Sequence, residues 1–213
     1  MSGDSANGVL PAKQIRSQRR QRAILDAAHR LLETRGYEHL KMEEIAAEAG
    51  SSVGAVYQRF RNKEGLLEAM LSEVLDDLQV RMSTELSLEA MEGDFRKAIR
   101  IVVELVVAFM RDNQGFVRAL TSRQLVEPEG VSPLQETARD ALLRGWSIVS
   151  ELSPDLDDER ARLRFMFAMQ LVMGTCSNAV LNRPGPLQIH DDRLVDCLAG
   201  TVERLLADET LPL

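Results

Sequence analysis

The sequence predicts an all-α chain, and three observations predict it. Nearly every segment after residue 15 spaces its apolar side chains three and four apart, the repeat of a helix with one buried face. Alternating β-branched residues between turn signals, which strands would need, are found nowhere convincingly. The breaks between periodic segments fall at residues that end helices, among them Gly36, Gly50, Gly93, Pro154 and Pro184.

The first helix is expected over roughly 15 to 35, with Ile24, Ala27, Ala28, Leu31 and Leu32 on one face. It stops at Gly36, a residue suited to positive φ at a helix C-terminus. Two short helices come next, near 42 to 49 and 53 to 60, separated by Gly50-Ser51-Ser52. Asn62 can cap a longer one, whose apolar positions Leu67, Met70, Leu71, Val74, Leu78 and Met82 carry it to about Glu89. That helix is expected to join two domains.

Glu92-Gly93-Asp94 interrupts the pattern before helices near 95 to 112 and 114 to 127. After Glu127-Pro128-Glu129-Gly130, the run Ser132-Pro133-Leu134-Gln135 reads as an N-cap, a first-turn proline and a capping-box partner for a helix over 133 to 152. Ser153-Pro154-Asp155 turns the chain, Asp157 can cap a long helix to about 182, and a last helix spans roughly 191 to 208. Phe165 to Asn182 holds 18 residues without a charge, but Gln170, Thr175, Ser177 and Asn178 interrupt it. No second such segment or aromatic belt accompanies it, so a membrane span is not expected. Burial against its own domain and a partner subunit explains it better, with Gly174 permitting a close crossing. The organisation that results is a tail over 1–14, a small domain over 15–64 and a larger helical domain over 65–213.

Charge sharpens that division. The 213 residues hold 26 Lys and Arg against 33 Asp and Glu, an acidic balance that by itself argues against nucleic acid. Residues 1–64, however, hold 11 basic against 8 acidic side chains, leaving 15 against 25 for the remainder. Lys13, Arg16, Arg19, Arg20 and Arg22 fall in ten residues without one acid, either a solvated face or an arm for polyanions. Cys176 and Cys197 have neither metal-ligand spacing nor a disulfide framework, and the polar stretch from Met1 to Ala12 lacks a secretory core. A cytoplasmic protein without a metal or cofactor is therefore expected.

The segment Met42 to Phe60 has the spacing of a DNA-reading helix pair. Ile45 and Ala49 can face a core, Ala46 is small where the second helix crosses, Gly50 suits the turn, and Ser51 or Ser52 can cap the second helix. Val53, Val56 and Phe60 can bury one face of that helix. Ser52, Gly54, Ala55, Gln58 and Arg59 are left outward, small at the helix start where backbone must approach a major groove, with Gln58 and Arg59 able to read base edges.

These residues resemble the DNA-binding domain of the TetR family of bacterial transcriptional regulators. The likeness runs from about Arg22 to Leu67 and rests on Ile24-Leu25-Asp26-Ala27-Ala28, Gly36-Tyr37, Ile45-Ala46, Ala49-Gly50, Val53-Gly54-Ala55-Val56-Tyr57, Phe60 and Lys63-Glu64-Gly65-Leu66-Leu67. One departure is Lys41, where the family often has Thr or Ser; it loses a hydroxyl cap but keeps a charge for a phosphate. The resemblance implies that Tyr57 and Lys63 donate to phosphates; the alternative is Tyr57 as half-buried packing and Lys63 as an ordinary surface charge. It also implies a helical effector domain and a homodimer through the helices near 157–182 and 191–208, repressing at a palindromic operator. Val195, Leu198, Val202, Leu205 and Leu206 offer a stripe for such a dimer.

Candidates for an effector pocket are Phe109, Phe116, Trp146, Phe167, Met169 and Met173, whose aromatic rings and thioethers make adaptable apolar walls; the same stripes also serve as plain core. Glu104 aligns at helical spacing with Lys97, Arg100 and Arg111 and reads as a polar-face residue. Catalysis finds little support: His29, His39 and His190 stand near no nucleophile or acid constellation, and no phosphate loop or metal motif is present. The remaining rival is an interaction protein of the same fold that no longer binds DNA, a reading that Gln58, Arg59 and Lys63 oppose.

Overall fold

The computed structural model describes residues 12–126, 133–153, 156, 158–183 and 185–212. Among them lie ten helices and no strand. They divide into two compact units, one ending at Met70 and the other beginning at Leu71.

In the first unit, α1 (Ala12–Arg35) turns Ile24, Leu25, Ala27, Ala28 and Leu32 into a core completed by Ile45 and Ala46 of α2 (Met42–Glu48) and Val56 and Phe60 of α3 (Val53–Phe60). Leu66, Leu67 and Met70, from the first turns of α4 (Lys63–Glu85), are buried in this unit. Gly36 ends α1 at φ +77° and Gly50 turns the chain between α2 and α3 at φ +59°, conformations that L side chains resist. Ser52 accepts from the Ala55 amide at 3.2 Å and caps α3, and Asn62 accepts from Gly65 at 2.9 Å and caps α4. Exposed ion pairs tie α1 to α2, Arg30 to Glu48 at 3.0 Å and Arg35 to Glu44 at 2.5 Å. Such exposed pairs contribute little beside the burial beneath them.

The second unit centres on α6 (Phe95–Asp112), capped by Asp94, which accepts from the amides of Arg96 and Lys97. Around α6 pack α8 (Pro133–Leu152), α9 (Glu159–Leu181) and α10 (Arg193–Ala207), while α7 (Gln114–Val126) lies against α9. Ile99, Val103, Val149, Phe165, Met169 and Val202 are fully buried between them. Glu104 is exposed, as expected.

Several expectations need correction. The helix from Lys63 ends at Glu85, and Leu88–Met91 forms a separate short helix, α5, because the chain turns to place Met91 in the core ahead of Glu92 and Gly93 at positive φ. Asp158 caps α9 by accepting from Ala161 at 2.5 Å, so the cap belongs one residue beyond Asp157. Val53 is 38% exposed, since α3 buries only Val56 and Phe60. The α10 stripe faces inward: Val195, Leu198, Val202 and Leu206 are buried in the chain's own core, with Leu205 packed beside them. Among the described residues nothing lies within 4 Å of a Cβ added at Gly174, which leaves it open to a partner; within the chain a close helix crossing is at Gly145 of α8, where an added Cβ would meet Val102 at 3.4 Å and Phe165 at 3.5 Å. Asp157, Ser132 and most of the 1–14 tail lie outside the described residues, as do Pro154 and Pro184. No helix among the described residues is long and apolar enough to cross a membrane.

Candidate nucleic-acid interface and apolar cavity

Burial of Val56 and Phe60 fixes which way α3 faces, and with it the rest of the helix surface. Ser52, Val53, Gly54, Tyr57, Gln58 and Arg59 are exposed, and Ala55 is half-buried. Space above Gly54 is open, since a Cβ there would meet nothing within 4 Å. Ser51 is half-buried and spends its amide on the Ala46 carbonyl at 2.9 Å, so Ser52 alone of the two is the cap. Lys41 is exposed at the N-cap position of α2 and makes no side-chain cap bond there.

The α1 arm adds to this face. Arg16, Arg19 and Arg20 are exposed, and Arg16, Ser17, Arg20 and Gln21 line one open groove with Gln58 and Arg59 of α3. Arg59 bridges the groove by donating to Ser17 Oγ at 3.2 Å and to Gln21 Oε1. Sequence reasoning named the arginines but missed Ser17 and Gln21. Their spacing of four, beside Arg16 and Arg20, was the available signal for a shared helix face.

Lys63 is more constrained than a free surface charge. Its Nζ sits 4.0 Å from the centroid of the Tyr37 ring and donates to the Glu38 carbonyl at 3.5 Å. Behind it, Arg61 at φ +46° turns the chain from α3 into α4, and Asn62 donates its amide to the Phe60 carbonyl. Gly65 suits the same corner, because a Cβ there would lie a tight 3.0 Å from the Phe60 carbonyl oxygen.

The second unit holds an apolar cavity of about 100 Å³. Its walls come from Leu78 and Met82 of α4, Leu86 just beyond it, Val106 and Phe109 of α6, Ala141 and Leu142 of α8, and Met173 of α9, with further apolar side chains of α6 and α8. Of the six candidates from sequence, Phe109 and Met173 line it. Phe167 lies with Met173 along an open groove between α8 and α9. Phe116, Trp146 and Met169 are buried elsewhere, with Trp146 tilted against Phe165 at a centroid distance of 5.6 Å. Leu78, Met82, Val106 and Leu142 were missed, because an aliphatic cavity wall and an aliphatic core carry the same sequence pattern. No cluster of three or more His, Cys, Asp or Glu able to hold a metal occurs among the described residues.

Comparison with known proteins agrees with this arrangement. The family model for bacterial regulatory proteins of the tetR family matches residues 24–70. The nucleoid occlusion factor SlmA of Pasteurella multocida is 30% identical over 121 residues, 56% of this chain and 58% of that protein, so the chain matches little over half the length of that relative. An uncharacterized HTH-type transcriptional regulator of Bacillus subtilis, YvkB, is 40% identical over 74 residues, 35% of this chain and 36% of that one. In fold, the chain is similar to a TetR-family transcriptional regulator from Streptomyces coelicolor with a TM-score of 0.61 at 24% identity, covering 90% of this chain and 97% of that one. The N-terminal unit is thus similar to bacterial regulatory proteins of the tetR family, and the wider fold is similar to that of such a regulator.

Proposed function

We propose that this protein is a sequence-specific transcriptional repressor that leaves a palindromic operator when a small molecule fills its second unit. The observation that carries the DNA reading is the outward face of α3: small and open at Gly54, bearing Tyr57, Gln58 and Arg59, without an acid from Ser52 to Arg59, and flanked by Arg16 and Arg20. Base edges are read by Gln58 or Arg59, with Ser52 to Ala55 close to the groove floor. Phosphates are held by Tyr57, Lys63, Lys41 and the α1 arginines.

A homodimer presents two such helices about 34 Å or slightly more apart, which a palindrome matches. Because the α10 stripe is used internally, the partner meets the other faces: Leu171, Gly174 and Thr175 on α9, with Cys197 and Thr201 on α10, all exposed in the single chain. Effector control runs through α4, which starts at Lys63 and contributes Leu78 and Met82 to the cavity. A ligand acts only through different affinities for the binding-competent and binding-incompetent states.

The test is selection of duplexes from a random pool, then titration of the recovered site and a scrambled duplex at several salt concentrations. A palindromic consensus bound at least a thousandfold more tightly than the scramble, with steep salt dependence, is expected. Absence of salt-dependent retention on any DNA would leave the interaction protein as the surviving reading.

A further inference from the structure

Among the described residues, none that lines the cavity between α4, α6, α8 and α9 carries a hydrogen-bonding side chain. Every lining residue is Leu, Met, Val, Ala or Phe, and the sulfurs of Met82, Met110 and Met173 are its most polar side-chain atoms. The three methionines are also its most adaptable walls, being unbranched and rich in rotamers. Leu142 and Met173 line both this cavity and the open groove between α8 and α9 and so stand between the two.

We infer that this cavity takes an uncharged, hydrocarbon-like molecule on the scale of one six-membered ring or a short alkyl chain, and that it rejects amphipathic and ionised ones. This rests on the effector reading proposed for the second unit and narrows its ligand class. The warrant is desolvation. A polar group entering such a site gives up its water and finds no partner, a cost that grows steeply from a hydroxyl to a carboxylate. Volume sets the size: an engineered apolar cavity of about 150 Å³ stays dry and takes up benzene. At about 100 Å³, with methionine walls able to yield, a single ring is the upper end of what fits.

Toluene, phenol and benzoate test this, since each differs from the next by one group while the ring stays constant. Calorimetric titration of the full chain at neutral pH, without DNA, is expected to give one saturable toluene site per chain. Phenol is expected to bind at least tenfold more weakly, and benzoate not detectably. Ala141→Leu fills the cavity from α8 and is expected to weaken toluene binding at least tenfold; Ala138→Leu, one turn earlier, serves if the first variant does not fold. Benzoate binding within tenfold of toluene overturns the inference. So does toluene that fails to saturate, or a folded filling variant that binds toluene unchanged. A separate arm measures DNA retention with toluene bound: no change there removes effector control from the proposed function and leaves the ligand assignment standing.

Discussion

The outward face of α3 and the cavity beside α6 are opposites in chemistry. On α3 the groups proposed to meet DNA are exposed, most of them polar or small, and held in place by what lies beneath them: Val56 and Phe60 buried, Ser52 capping, Gly65 admitting the Phe60 carbonyl. In the cavity the groups proposed to meet a ligand are themselves part of the packed interior of the second unit. The comparison teaches that stability and recognition separate in the first region and coincide in the second. A substitution of Gln58 or Arg59 on the face of α3 should alter binding without altering folding; one in the cavity wall should alter both.

The largest test of that separation is Phe60→Ala, which removes the scaffold and keeps every outward group. Truncation of a 6% exposed phenylalanine should cost about 3–5 kcal/mol in denaturant unfolding, and DNA binding should go with it. Retained stability would mean that α3 does not depend on its buried face.

Next is Arg59→Ala, expected to cost about 1–3 kcal/mol on the selected operator, to relax preference at one position per half-site, and to leave the unfolding midpoint unchanged. Because Arg59 is bridged to Ser17 and Gln21, Gln21→Ala should reproduce part of the loss on operator DNA. If Arg59→Ala lowers operator and scrambled binding in equal proportion, it anchors phosphate instead, and base reading falls to Gln58 and Ser52 to Ala55.

Lys63→Ala and Tyr57→Phe should weaken both duplexes alike, and the lysine change should reduce the salt slope by about one. An unchanged slope with lowered stability would assign Lys63 to the Tyr37 ring and Glu38 carbonyl that it already contacts. Smaller again is Ser52→Ala, which deletes the α3 cap and should cost about 1 kcal/mol of stability.

pH provides the mildest probe of the buried side. Burial raises the Cys176 thiol from 9.0 to about 11. The unfolded chain therefore releases this proton first, and stability should decline as pH rises between those two values, a decline absent from Cys176→Ala.

The helices were legible because their signals are local. Gly36, Gly50, Ser52 and Asn62 end or start helices by their own backbone preferences, and the structure uses each as the sequence suggests. The outward residues of α3 were legible for a related reason: small and polar side chains at fixed spacing have few alternative uses. What failed was anything requiring knowledge of the opposite wall. Val53 and the α10 stripe were apolar at plausible spacing, yet only packing decides that one is exposed and the other is spent inside the chain. Gly174 and Gly145 differ in the same way, open space at one and the Val102 side chain at the other. The cavity was least legible of all, since it is a shortfall of packing and no residue type encodes a shortfall.

The exposed row from Ser52 to Arg59 has a consequence for lineage. Gln58 and Arg59 in this row are exposed, so exchanging them draws on little of the margin that keeps the chain folded. Under the proposed function, a gene duplicated from this one could drift to a new operator through such substitutions, each intermediate still folded and still joined to the same second unit. Vocabulary can change here while grammar is preserved.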